Sequence, residues 1–123
     1  MKTLSFVNQS KATAIGDKIA VADSSLTRFL GLMGKRSLAP GSGLWITPSS
    51  GVHTFWMRMS IDVVALDSNL CVIKTAHAVR PWRISCLSLK VRSILELPPG
   101  QIGACEIEAG DFLKIIPSQP TES

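Results

Sequence analysis

The stretch that decides the fold of this chain is residues 53–64, which read HTFWMRMSIDVV. It places a histidine, an arginine and an aspartate among large apolar side chains, and such polar groups are costly in a core unless they find partners. The run therefore indicates either a buried polar tie or the wall of a binding pocket. Asp62 stands inside an apolar run, so we expect its carboxylate to pair with an arginine, Arg28 in preference to Arg58, and to link a helix to a sheet.

Short apolar runs separated by turn residues continue on both sides of this stretch. They fall at residues 5–8, 18–22, 44–46, 52–57, 62–66, 70–74, 93–97 and 112–116. Turn signals such as Gly16-Asp17, between the first two runs, and Asp67-Ser68-Asn69 are typical of antiparallel strands. An apolar stripe with helical spacing predicts one short helix at about residues 25–34. We therefore predict a mainly β chain, bordering on α+β, that forms a small antiparallel barrel or sandwich.

Composition and charge narrow the class of protein. The 123 residues are 46% hydrophobic and carry a net charge of +4. This length fits a single β-rich domain over residues 1–116, followed by a polar tail at 117–123 that we expect to be disordered. The basic residues are scattered along the sequence, apart from a loose cluster between Arg80 and Arg92. This scatter and the small net charge argue against nucleic acid as the partner.

Cysteine usage and the N-terminal segment bear on the compartment. The three cysteines form no CxxC pair and stand among apolar neighbours, which indicates free thiols in a reducing environment. Neither a signal-peptide core nor an apolar run of membrane-spanning length is visible. We expect a soluble, cytoplasmic protein without a membrane span.

His53 has two interpretations. If residues 52–57 form one strand, alternation places His53 on a core face with Phe55 and Met57, and places Thr54, Trp56 and Arg58 on the other face. The histidine then serves either as a general base or metal ligand, or as a buried group hydrogen-bonded to backbone. No second histidine, cysteine or carboxylate stands at ligand spacing, so we expect no metal and no cofactor.

Two further positions carry alternatives. Glu96, inside an apolar strand, either faces solvent or joins Asp62 across a cleft for acid–base chemistry. Trp82 lies in Arg80-Pro81-Trp82-Arg83, where an exposed aromatic ring could stack on a base, a sugar or a peptide while the arginines bind an anion. The structural alternative is a ring that folds back onto the barrel.

Several ordered motifs carry a resemblance to a known family. Residues 28–33 read RFLGLM, 54–58 read TFWMR, 61–64 read IDVV, and 95–100 read LELPPG before a closing Gly110-Asp111. Together they resemble the domain-of-unknown-function family 192, small proteins of bacteria and archaea. The resemblance implies a mainly β fold with a short helix and no established activity. The family motif positions are Gly31, Leu32, Met33, Asp62, Glu96, Gly110 and Asp111.

The chain departs from the family pattern in two places. Many members of the family carry a leader or lipid-anchor segment, and none is visible here. Met59-Ser60 stands where the family has an apolar residue and a proline, so the local turn is expected to differ.

These observations favour a non-catalytic binding module or accessory protein. Its pocket beside residues 53–64 would recognise a small polar or anionic ligand or a segment of a partner protein. The candidate ligand-binding residues are Arg28, His53, Trp56, Arg58, Asp62 and Trp82. The alternative is a small hydrolase that uses His53 with Asp62 or Glu96, and a third hypothesis makes the loop Arg80 to Arg83 the working surface of an accessory protein.

Overall fold

The computed structural model describes residues 2–24, 32, 37–55, 57–86 and 88–117. This part of the chain forms nine strands and a one-turn helix. The strands are β1 (Thr3–Asn8), β2 (Thr13–Ala22), β3 (Ser42–Ile46), β4 (Val52–His53), β5 (Ile61–Leu66), β6 (Val72–Val79), β7 (Ile84–Ser85), β8 (Ser93–Leu97) and β9 (Leu113–Pro117), and the helix is α1 (Gln101–Ala104).

Seven of the strands form one sheet in the order β6-β5-β8-β3-β2-β1-β9, which curls into a half-barrel. All neighbours in it are antiparallel except the parallel pair of β2 and β3. Its two edges meet at one end, where Cys71 bridges Phe112 and the Val72 N–H donates to the Asp111 carbonyl. The predicted mainly β, barrel-like fold is confirmed. Strands β4 and β7 form a separate ribbon.

The central strands are buried on both faces. Every residue of β5 and β8 is buried, because their nearly continuous apolar sequences can be covered on either side. Alternate residues along these strands pack into two different hydrophobic clusters. The barrel core contains Phe6, Ile19, Val64, Leu95, Leu97 and Ile102, and the outer core contains Leu44, Val52, Met57, Val63, Val91 and Ile94.

The turn predicted at Gly16-Asp17 is wrong, because both residues lie inside β2. The turn between β1 and β2 falls at residues 9–12, and Gly16 pairs with Phe6. A Cβ atom on Gly16 would stand 2.6 Å from the carbonyl oxygen of Gly41. The glycine therefore allows a close approach of two backbones rather than a turn.

Some of the sequence predictions fall outside the described residues. They are the helix at about residues 25–34, with Arg28, Gly31 and Met33, the indole of Trp56, and the tail from residue 118. Leu32 is described and is buried in the outer core. The three cysteines are free thiols, as expected, with Cys71 only half-buried. None of the helical segments in the described part of the chain has the length and apolar character that a membrane crossing requires.

The family motif position Asp111 is the centre of a polar tie between distant segments. Its carboxylate accepts hydrogen bonds from Asn8 Nδ2 at 2.8 Å, from Lys11 Nζ at 2.8 Å and from the Glu108 N–H at 3.0 Å. Although burial raises the pKa of Asp111, the bonds from Lys11 and Asn8 outweigh it and hold the pKa below its usual value. Gly110 precedes it with φ +95, a conformation that favours glycine.

Candidate functional site

Thr54 ends β4 and organises the segment around it. The strand predicted for residues 52–57 stops after His53, because the backbone of Thr54 bonds to the loop 80–83 instead of continuing the ladder. The Thr54 N–H donates to the Arg83 carbonyl at 2.8 Å, and its carbonyl accepts from the Trp82 N–H at 2.9 Å. Its hydroxyl donates to the Arg80 carbonyl at 2.6 Å and accepts from the Arg83 N–H at 2.8 Å.

These bonds fix the loop that carries Trp82. The residue adopts φ +65, a left-handed conformation that is unfavourable for a side chain of this size, and Thr54 is completely buried beneath it. A strained backbone persists only where the surroundings determine it strongly, as the Thr54 bonds do here. The ring of Trp82 stacks on Phe55, with centroids 5.7 Å apart, and Trp82 remains 52% exposed.

A groove of about 310 Å³ opens beside this loop. It is lined by residues 49–53, Phe55 and Ile84. His53 and Ile84 face each other in the ladder between β4 and β7, which places both in the wall. The His53 ring lies 5.1 Å from the Phe55 ring at 32°, so His53, Phe55 and Trp82 form a row of three aromatic rings.

A second hollow of about 290 Å³ adjoins the groove. Its lining is residues 48–50, Val91 and Arg92, so Ser49 and Ser50 are common to both. The Arg92 guanidinium donates to the Leu89 carbonyl at 2.8 Å, and the Ser88 N–H donates to the Ser50 carbonyl at 3.1 Å. The loop 88–92 is therefore held against the loop 48–51.

Four buried side-chain atoms lack a hydrogen-bond partner in the described chain. They are Trp45 Nε1, His53 Nδ1, Ser93 Oγ and Glu96 Oε2. Buried polar atoms are paired in the great majority of cases, so each of these needs an explanation. Among the four residues, His53 alone borders one of the two hollows. Of the four, His53 is therefore the residue whose ring a ligand in the groove would contact, although Nδ1 itself is buried.

Asp62 binds backbone rather than a cation among the described residues. Oδ1 accepts from the Ala78 N–H at 2.8 Å, and Oδ2 accepts from the Ile102 N–H at 2.9 Å in the first turn of α1. The first amides of a helix have no partner inside it, so the carboxylate satisfies one of them. No ion pair within the described residues joins Asp62 to Arg58. The partner we preferred, Arg28, lies outside those residues, and that pairing stays a prediction.

Glu96 is buried on the opposite face of the same sheet. In the pairing of β5 with β8, Glu96 faces Val63 and Asp62 faces Leu97. Directly paired residues point to the same face, so Glu96 lies in the outer core and Asp62 in the barrel core. The two carboxyl groups therefore cannot share a cleft. Burial raises the pKa of Glu96 to about 8, and its Oε2 has no donor.

The described residues bring together some of the predicted site and not the rest. His53 and Trp82 are joined through Phe55, whereas Asp62 and Glu96 do not line the groove and Arg58 is exposed. Sequence reasoning missed Thr54, Ile84 and the second hollow. The bonds that create this site join residues 26 to 29 positions apart and use main-chain atoms. No local sequence pattern therefore predicts them. No group of three metal-ligating side chains occurs in the described chain.

The surface around the two hollows is basic. Between Ser24 and Leu95 the sequence contains only two acidic residues, Asp62 and Asp67. Asp62 is completely buried, and the Asp67 carboxylate accepts bonds from the backbone of its own turn. Around the hollows the sequence supplies the exposed cations Arg80, Arg83, Lys90 and Arg92. The field at this site therefore attracts anions.

Comparisons with known sequences agree on a family without an assigned activity. The sequence profile of DUF192, "Uncharacterized ACR", matches residues 6–115. A UPF0127 protein of Pyrococcus horikoshii is 37% identical over 114 residues, which cover 88% of this chain and 96% of that protein.

Two solved structures share the fold. A protein of unknown function from Novosphingobium aromaticivorans superposes with a TM-score of 0.77 at 16% identity, over 90% of this chain and 82% of that one. A Sinorhizobium meliloti protein described as a candidate transcription regulator has a TM-score of 0.78 at 20% identity, over 93% and 92%.

Proposed function

The chain belongs to the DUF192 family, whose curated relatives are uncharacterised, and we propose from the geometry of its own groove that it is a non-catalytic binding module. Its ligand is an organic anion that inserts an apolar or aromatic group into the groove beside His53. The observation that carries the proposal is the His53 ring, whose buried Nδ1 has no partner among the described residues, in the wall of a mostly apolar groove of about 310 Å³.

The groove has the composition of a ligand site. Binding sites are mostly apolar, with a few polar groups that fix orientation, and usually fall between about 300 and 1,000 Å³. Val52, Phe55 and Ile84 supply the apolar walls, and Ser49, Ser50 and the His53 imidazole supply the polar groups. The basic surroundings favour a ligand that carries negative charge.

The hydrolase alternative has less support. A histidine base needs a nucleophile or an orienting carboxylate within hydrogen-bond reach. Neither Asp62 nor Glu96 lines the groove, and both oxygens of Asp62 already accept backbone bonds. Binding requires none of these groups to react.

We would test the groove with phenylacetate, indole-3-acetate and 4-methylvalerate, three carboxylates that each carry one apolar group. Titration of the 15N-labelled protein should shift the amide signals of Val52, His53 and Ile84, with a Kd of the order of 1 mM for ligands this small. The variant His53→Phe keeps a ring but removes the nitrogen, and it should weaken binding. The variant His77→Phe changes an exposed histidine on β6 and is the matched control.

Two results would contradict the proposal. One is that none of the three compounds moves the groove signals at about ten times that Kd. The other is that His53→Phe and His77→Phe bind all three equally well. Hydrolysis of an ester of one of these carboxylates by the wild type, and not by His53→Phe, would instead favour an enzyme.

A further inference from the structure

The apolar surface at this site is larger than the groove. Trp82 is 52% exposed, Ile84 59% and Leu89 90%. Ile84 lines the groove, and Trp82 stacks on Phe55, which also lines it. The Leu89 carbonyl accepts a hydrogen bond from Arg92, which lines the second hollow. Exposed apolar side chains grouped in this way mark an interaction site more often than chance exposure does.

Ile84 stands on β7, and Trp82 and Leu89 stand on loops that hydrogen bonds hold in place. Thr54 fixes the loop of Trp82 through four main-chain atoms, and the loop of Leu89 is tied to residue 50. Binding to a pre-organised surface avoids the entropic cost of ordering loops. The arrangement is therefore suited to recognition rather than to solvent contact alone.

The size and charge of this surface indicate the partner. A molecule that fills only the groove leaves Trp82 and Leu89 in water, whereas one that covers all three exposed apolar side chains must extend across both hollows. Arg80 and Arg83 stand beside Trp82, and Lys90 and Arg92 stand beside Leu89. Exposed cations therefore stand next to both Trp82 and Leu89 along the chain, and Arg92 also lines the second hollow.

We propose that this surface binds an acidic peptide segment of a partner protein. One apolar side chain of the segment enters the groove beside His53, and flanking Asp or Glu residues contact the arginines and the lysine at either side. This inference rests on the proposed function and names the ligand as a peptide. Two of the three exposed apolar side chains, Ile84 and Leu89, are aliphatic, and an aliphatic surface suits the apolar side chains of a peptide better than stacked bases.

The experiment is selection of random dodecapeptides displayed on phage against the full chain immobilised under reducing conditions. We expect enriched peptides to combine one Phe, Trp or Leu with flanking Asp and Glu. Synthetic copies should bind in solution and lose affinity as salt concentration rises.

Matched variants locate the binding surface. Ile84→Ser and Arg83→Glu should each weaken the selected peptides by about tenfold or more. Ile116→Ser and Lys114→Glu make the same chemical changes on exposed positions of β9 and should have no effect. If Ile84→Ser fails to fold by circular dichroism, Leu89→Ser replaces it, because a side chain that is 90% exposed adds little to stability.

The inference is overturned if no peptides are enriched, if they lack acidic residues, or if the site variants bind them as well as the β9 variants do. Tighter binding of oligo(dT) than of any peptide would point to nucleic acid instead. Should phenylacetate still shift the groove signals in those cases, the binding module stands and only the peptide partner is excluded. Failure of both ligands removes both proposals.

Discussion

Replacing Glu96 with glutamine tests whether the Glu96 carboxyl group stays protonated and uncharged in the outer core. Glu96 is 1% exposed, its Oε2 has no donor, and its pKa rises from 4.5 to about 8 in the folded chain because burial disfavours the carboxylate. The folded state therefore keeps a proton that the unfolded state releases above pH 4.5 or so. The free energy of unfolding must then fall as pH rises between these two values.

The size of this effect follows from the two pKa values. At about 1.4 kcal/mol for each pH unit, the interval between 4.5 and about 8 corresponds to about 5 kcal/mol. About 3 to 4 kcal/mol of this is lost between pH 5 and pH 8. Glutamine has nearly the same shape and does not titrate, so Glu96→Gln should remove this pH-dependent loss.

Urea unfolding of the wild type and the variant at both pH values, with a reductant present for the free cysteines, measures the difference. The control is Glu106→Gln, the same change at an exposed position, which should follow the wild type. The three proteins differ only at positions 96 and 106, so the contributions of all other residues cancel in the comparison. If Glu96→Gln loses as much stability as the wild type between pH 5 and pH 8, the carboxyl group ionises at little cost and the reasoning is refuted.

Two further substitutions test side-chain bonds to main-chain groups, one in the barrel core and one at the site. Asp62→Ala leaves two backbone N–H groups without their acceptor, and each such group costs about 1–3 kcal/mol. We therefore expect the free energy of unfolding to fall by about 3 kcal/mol or more. An unchanged melting temperature would contradict this. Thr54→Val removes the hydroxyl that bonds two main-chain atoms of the loop, and we expect about 1–3 kcal/mol of destabilisation with faster amide exchange at Arg83. Thr54→Ser keeps the hydroxyl, and equal exchange in the serine and valine variants would rule out the bonding scheme.

The sequence predicts the central strands and the family well, because their signals are local. The apolar runs at 62–66 and 93–97 fall within the fully buried strands β5 and β8. The family motifs in and around them predict the same fold, and the match over residues 6–115 confirms the family. Continuous apolar runs separated by turn residues predict such strands from the sequence alone, without knowledge of tertiary contacts.

The candidate site is less predictable because it depends on register and on distant backbone bonds. Asp62 and Glu96 look alike in sequence, each a single acid in an apolar strand. Only the pairing of Asp62 with Leu97 separates them onto opposite faces, and a shift of one residue would reverse that result. The same limit explains why residues 52–57 were expected to form one strand, since the bonds that end it come from the loop 80–83.

The bonds of Thr54 have a consequence for how this loop can change over time. All its contacts with residues 80–83 use main-chain atoms, which every substitution preserves unless it introduces proline. The exposed side chains at positions 80 and 83 can therefore be exchanged without loss of these bonds, whereas position 82 is restricted to residues that tolerate its left-handed φ of +65. In this respect the half-barrel resembles an antibody framework: a constant support that carries exchangeable side chains, on which new specificities can be selected by evolution or in the laboratory.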